Sequence, residues 1–202
     1  MINYQKKTDE ILETLSGKPK LLLHSCCAPC SSYVMEYLSQ YFQITILYYN
    51  PNITDPAEYQ TRLAEQKRLI SEMQTANPVM LLEGRYDPAL YLSAISGLEG
   101  EPEGGKRCTV CYALRMEEAA QTAKEKGLDY FTTTLSISPH KNAQKLNEIG
   151  EALSEKYEIP YLYADFKKRE GYKHSIQLSQ QFHLYRQDFC GCTYSVKNKI
   201  TD

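Results

Sequence analysis

The residues of this chain best suited to chemistry are its seven cysteines, which fall in three short groups: Cys26 and Cys27 with Cys30, Cys108 with Cys111, and Cys190 with Cys192. Within each group the spacing lets two thiolates from one turn face one centre. Long intervals separate the groups, so only folding can unite them. Their flanks are polar or turn-like (Ala28-Pro29, Thr109-Val110, Gly191), which suits ligands on loops rather than packing residues. Cys108 and Cys111 together with Cys190 and Cys192 supply four thiolates, the number that a 4Fe–4S cluster or a single zinc ion takes. Gly191 removes a side chain between two of them and allows tight backbone curvature. The other three thiols exceed what a structural zinc site needs and point to a second metal or a redox-active group. Spacing alone puts iron–sulfur first, with structural zinc and thiol–disulfide chemistry as alternatives. The odd cysteine count argues against a complete set of disulfides, and reduced thiols imply the cytoplasm.

The elements that must position these groups can be read from hydrophobic periodicity. Apolar or β-branched runs predict strands at Lys20–His24, Gln43–Tyr49, Val79–Glu83, Tyr130–Thr134 and Tyr161–Ala164. Helical patterns cover Ser31–Gln40, Glu58–Gln74, Cys111–Lys126 and Asn142–Tyr157, the third closed by Gly127. Strands alternating with helices predict an α/β fold with a mainly parallel sheet in one domain, residues 1–202. That domain divides into an N-terminal helical segment (1–19), a metal-binding core (20–195) and a tail (196–202). In such a sheet the site forms outside the carboxyl ends of the strands. There the turns Cys26–Cys30, Asn50-Pro51-Asn52, Ser136–His140 and Asp165-Phe166 converge. Gly97–Gly105 (GLEGEPEGG) reads as a flexible or lid-like loop before Cys108.

Composition limits the partners. MINYQKKTDEILETL has no signal-peptide core, and no apolar run reaches the roughly 20 residues of a membrane helix, so no membrane partner is expected. A net charge of −2 is not the basic footprint of a nucleic-acid binder. Local clusters remain: Lys167-Lys168-Arg169 with Lys173, Lys106-Arg107, and Lys197 with Lys199, each equally readable as a solvated face. Seventeen tyrosines against five phenylalanines supply rings that can stack on bases or sit half-buried at element surfaces.

Six segments stand in an order that carries more than composition: HSCCAPCSS (24–32), YYNPNI (48–53), EGGKRCTVCYALRMEEAA (103–120), TTLSISPHKN (133–142), DFKKREGY (165–172) and LYRQDFCGCTYS (184–195). Together they resemble the cobalamin-independent epoxyqueuosine reductases, over roughly Lys20 to Ser195. Phe189 is a mild departure, standing where that family more often has tyrosine. The resemblance implies reduction of the epoxide of epoxyqueuosine, at the wobble position of tRNA, to the alkene of queuosine. It implies a 4Fe–4S cluster on Cys108, Cys111, Cys190 and Cys192, and an additional mononuclear iron on Cys26 and Cys27. The third protein ligand of that iron is then Cys30 or an aspartate, Asp165 before Asp87. The implied fold is Rossmann-like, of the adenine-nucleotide α-hydrolase type. Cys26–Ser31 occupies the place of that fold's SGGxDS phosphate loop. The cradling glycines are missing and Pro29 removes an N–H donor, which argues against ATP use.

Further candidates surround this core. His24 is a thiolate partner or proton donor, or else a satisfied strand-end histidine. His140 is placed to contact substrate. Asn50 and Asn52 are candidates for ribose or cyclopentane hydroxyls, although Asn-Pro-Asn also simply makes turns. Arg186 and Gln187 are candidates for a phosphate or the modified base, and Tyr112 and Tyr194 for shielding a cluster or stacking. His174 and His183 read as structural. The expected partners are the single-stranded anticodon loop of tRNA, whose bases can be splayed and stacked, and an external electron donor. The competing classes are an iron–sulfur tRNA thiolase of the ATP-pyrophosphatase type, a zinc-stabilised binding protein and a thiol–disulfide oxidoreductase.

Overall fold

The structure, a computed structural model, describes residues 2–197, with residues 196 and 197 described by their backbone alone. The Lys197 side chain, Lys199 and the rest of the tail therefore lie outside the described residues. Four strands, β1 (Lys20–His24), β2 (Gln43–Tyr48), β3 (Val79–Glu83) and β4 (Tyr130–Thr133), form one parallel sheet in the order β3-β2-β1-β4. The helices are α1 (Tyr4–Thr14), α2 (Ala28–Leu38), α3 (Pro56–Glu72), α4 (Pro88–Ala94), α5 (Lys106–Glu125), α6 (Ala143–Tyr157), α7 (Gly171–Gln181) and α8 (Thr193–Lys197), with a 3-10 turn at Thr134–Ile137.

The alternation of side chains along a strand assigns the two faces. Leu21 and Leu23 of β1, with Ile44 and Ile46 of β2, pack on Val34, Met35, Leu38 and Leu69 of α2 and α3. Leu22 and Leu47 face the other way, onto Tyr112, Met116, Ala119 and Ala123 of α5 and Leu146 of α6. β1 is buried on both faces, which is why it reads as an unbroken apolar run. The chain steps outward from β1 through β2 to β3, then returns to the opposite side of β1 for β4. The strand order therefore reverses between β1 and β4, and the crevice beyond their carboxyl ends is the natural ligand position.

Three expectations need correction. α2 starts at Ala28 and α5 at Lys106, each before its predicted start, so Cys30 and Cys108 lie in helices rather than in turns ahead of them. Pro29 is pre-shaped for a first helical turn, and Gly105 is the N-cap of α5. The predicted strand Tyr161–Ala164 is reduced to a single bridge between Phe131 and Tyr161. Its backbone leaves the sheet because Asn147 of α6 takes both polar groups of Ala164, accepting its N–H at 2.9 Å and donating to its carbonyl at 2.9 Å. α4 was not anticipated at all: Asp87 caps it and Pro88 opens it. The Gly97–Gly105 loop is tied to α5, since Arg107 donates to the carbonyls of Glu99 and Glu101. Among the described residues no helix is long and apolar enough to cross a membrane.

The departing 160s segment lies close on α6: a Cβ at Gly150 would sit 2.4 Å from the Tyr161 ring. Gly150→Ala is expected to destabilise by about 1–3 kcal/mol through overpacking, read as a fall in Tm. An unchanged Tm would contradict that close approach.

Candidate metal centre

β1 ends at His24 and runs through Ser25 and Cys26 into Cys27, the extended N-cap of α2. Cys30 follows in the first turn. The three sulfurs lie within 4.8 Å of one another, with Cys26 and Cys27 3.8 Å apart. Two thiolates ~2.3 Å from one tetrahedral ion stand ~3.8 Å apart, so this spacing fits a single metal ion. The loop is held from below. Gln66 of α3 accepts from Ser25 Oγ at 2.7 Å and Ser31 Oγ at 2.8 Å, while Asn50 Nδ2 donates to the Ser25 carbonyl at 2.9 Å. From β4's side, Thr134 Oγ1 lies 3.5 Å from Cys26 Sγ.

The trio's electrostatics favour a bound cation. Hydrogen bonds from Cys27 and Cys30 pull the Cys26 thiol well below its ordinary range, with help from Arg115 and Thr134. Burial and the neighbouring Cys26 push Cys27 up to about 12, and Cys26 and Cys27 drive Cys30 upward. Burial and the neighbouring thiols oppose further ionisation of Cys27 and Cys30, and a bound metal ion would let all three ionise.

The other four cysteines come from two directions. Cys108 occupies the first turn of α5, where Gly104 N donates to its sulfur at 3.2 Å, and Cys111 follows one turn later. Cys111, Cys190 and Cys192 join one apolar cluster with Tyr91 and Ile95, and Tyr91 Oη lies 2.9 Å from Cys192 Sγ. The Cys-Gly-Cys turn is pinned by Asn52 Nδ2 on the Cys190 carbonyl (3.0 Å) and by Thr54 N on the Gly191 carbonyl (3.2 Å). The coil leading to it lies along α3. Glu65 accepts from Tyr185 N at 2.8 Å, Arg68 donates to the Phe182 carbonyl at 3.0 Å, and Arg62 donates to the Phe189 carbonyl at 3.3 Å. Cys190 is lowered by its hydrogen bond from Cys192, against burial and with help from Lys141. Burial pushes Cys111 up to about 11, although Arg115 opposes it. Cys190 of this set, with Cys26 and Cys30 of the trio, lines a cavity of about 360 Å³.

A family model described as "Epoxyqueuosine reductase QueH" matches residues 21–198. The epoxyqueuosine reductase QueH of Streptococcus pyogenes serotype M1 is 43% identical across 100% of this chain and 81% of its own length. That of Staphylococcus epidermidis is 40% identical across 100% of this chain and 87% of its own length. That of Thermotoga maritima is 30% identical across 87% of this chain and 90% of its own length. This chain belongs to the QueH family.

In this QueH-family chain the structure brings some candidate residues together and separates others. His140, Arg186 and Gln187 line the cavity beside Cys26 and Cys190. Asn50 and Asn52 are buried and bonded within the protein: Asn50 Oδ1 accepts from Arg115 at 2.5 Å, and Asn52 holds Cys190. They shape the site rather than its lining. Asp165 is not brought to the cysteines. It pairs with Lys167 at 2.6 Å and lines a separate cavity of about 820 Å³ against α1. Asp87 caps α4.

His24 is fully buried between Thr133 Oγ1 (2.8 Å) and the Tyr49 carbonyl (3.1 Å). Burial, then Arg115, lowers its pKa to about 3, so the ring stays neutral. His174 pairs with Glu36 and His183 is exposed. Tyr112 is buried, and Tyr194 stacks under Arg107. Several cluster cations are engaged internally: Arg107 with loop carbonyls, Arg169 with Asp9, and Lys173 with Glu170.

Sequence reading missed Arg115, Lys141, Gln66 and Thr134. Arg115 had a signal: it follows Cys111 by four residues on one helix, which places both on the same face. Lys141 lines the cavity and faces Glu103 at 3.4 Å. Burial lowers its pKa, but Cys190, Tyr112 and Glu103 outweigh burial and keep it charged.

Gly191 has φ +90°, and a Cβ there would meet Ile53 Cγ1 at 2.7 Å. Gly191→Ala is expected to cost about 1–3 kcal/mol in strain and to lower the iron and sulfide content after anaerobic reconstitution, with far-UV circular dichroism preserved. A full metal load would contradict this role.

Proposed function

We propose that this chain reduces the epoxide of epoxyqueuosine in tRNA to the alkene of queuosine. The reaction consumes two electrons and two protons and releases the epoxide oxygen as water. The observation that carries this reading is the cavity that reaches sulfurs of two cysteine sets at once, Cys26 and Cys30 on one side and Cys190 on the other. We assign Cys108, Cys111, Cys190 and Cys192 to a 4Fe–4S cluster, and Cys26, Cys27 and Cys30 to one iron beside it. The close sulfur trio favours Cys30 over Asp165 as third ligand. When bound, the iron and the cluster supply Lewis acidity and one-electron relay at the cavity floor.

The chain's own residues position the substrate. Gln187 lines the cavity and keeps a buried Oε1 without a protein partner, ready to accept from a substrate hydroxyl or N–H. Arg186 and His140 stand exposed at the cavity rim, where an anticodon-loop phosphate or base arrives. Lys141 Nζ carries a proton within the lining, and Leu135, Ile137 and Phe189 exclude water. Electrons come from an external donor, a protein or a small reductant, and reduced thiols together with a tRNA substrate point to the cytoplasm. The cysteine loop stands at the β1–β4 crevice, where the nucleotide α-hydrolase type carries its phosphate loop, and Pro29 cannot donate to a phosphate. The reaction is therefore independent of ATP, unlike that of a thiolase of that fold.

Anaerobic incubation of iron- and sulfide-reconstituted protein with epoxyqueuosine-bearing tRNA and a chemical reductant should remove one oxygen from the nucleoside, read by mass spectrometry. An unchanged nucleoside with fully loaded protein contradicts the proposal. Cys30→Ser is expected to lose the separate iron and abolish conversion, whereas Asp165→Asn keeps both. The reverse pattern would transfer the third ligand to Asp165.

A further inference from the structure

Arg115 is 3% exposed, one turn after Cys111 on α5. Its guanidinium donates to Asn50 Oδ1 at 2.5 Å and lies 3.3 Å from His24 Nε2, with Cys111 one turn away on the same helix face. It also lines the cavity floored by Cys26 and Cys190. The groups nearest it are the sulfurs of Cys111, Cys26 and Cys190, which would be thiolates as metal ligands, and among the described residues no carboxylate pairs with it. A guanidinium cannot shed its proton, and burying its charge is strongly unfavourable without compensating anions. Here those anions come from both cysteine sets. Lys141, another cation of the lining, is partly compensated by Glu103.

We propose that Arg115 is the fixed counter-ion shared by the two cysteine sets, and that its charge raises the reduction potential of the cluster so that an external donor can load electrons. Each electron adds negative charge to a buried centre. A cation held close to the ligand sulfurs stabilises the reduced form more than the oxidised form. Asn50 and His24 hold the planar guanidinium in register between the two sets, making Arg115 a positioning residue that acts through the ligands. This inference rests on the assignment of Cys108, Cys111, Cys190 and Cys192 to a redox cluster.

The test is a redox titration, followed by electron paramagnetic resonance, of anaerobically reconstituted wild type, Arg115→Gln and Arg115→Lys at matched iron and sulfide content. Arg115→Gln should make reduction at least about tenfold less favourable, a shift of about 59 mV to more negative potential for one electron. Arg115→Lys, which keeps the charge, should stay closer to wild type. A loaded Arg115→Gln protein with the wild-type potential overturns the proposal. Should Arg115→Gln not assemble the centre, assembly in Arg115→Lys supports the charge requirement, and equal failure of both overturns it. A wild-type protein without any cluster signal would instead contradict the ligand assignment.

Discussion

Three sulfurs gathered within 4.8 Å in a buried pocket can carry only a fraction of their possible charge unless a cation joins them. Much of the surrounding architecture is an arrangement for tolerating that crowding. The positive N-terminal ends of α2 and α5 both carry cysteines in their first turns. Arg115 enters from α5 and Lys141 from the loop after β4. Gln66, Asn50 and Thr134 hold the thiol loop in shape with neutral hydrogen bonds, which fix positions without adding charge.

The sheet explains why residues so distant in sequence meet. Parallel strands release their carboxyl ends on one edge, and the reversal of order between β1 and β4 opens that edge just where Cys26 and Thr134 emerge. Cys190 and Cys192 reach the same place by another route, on a coil stapled along α3 by Arg62, Glu65 and Arg68. The centre therefore depends on α3 although that helix supplies none of the cysteines.

Much of this was legible in the residues. Buried strands announce themselves as apolar runs, and β1 and β3 fall where periodicity places them. Cysteine grouping pointed to the metal chemistry, and the ordered motifs to the family. The misreadings share one cause: tertiary partners that a linear pattern does not display. Tyr161–Ala164 looks like a strand until Asn147 claims the backbone of Ala164. Asn50 and the amide nitrogen of Asn52 are engaged within the protein by Arg115 and by the Cys190 carbonyl, contacts that the Asn-Pro-Asn turn does not announce. Asp165 looks equivalent to Cys30 until Lys167 draws it to another cavity. Arg115 looks like an ordinary helix arginine until its turn of α5 is packed against the thiol loop.

The account's central claim is that the seven cysteines make one composite centre with two kinds of iron. Mössbauer spectroscopy of protein reconstituted anaerobically with iron-57 and sulfide tests it most directly. The account predicts a cubane cluster signal accompanied by a second, distinct iron site that disappears in Cys26→Ser while the cluster signal remains. A single iron environment, or a second signal untouched by loss of Cys26, would contradict it.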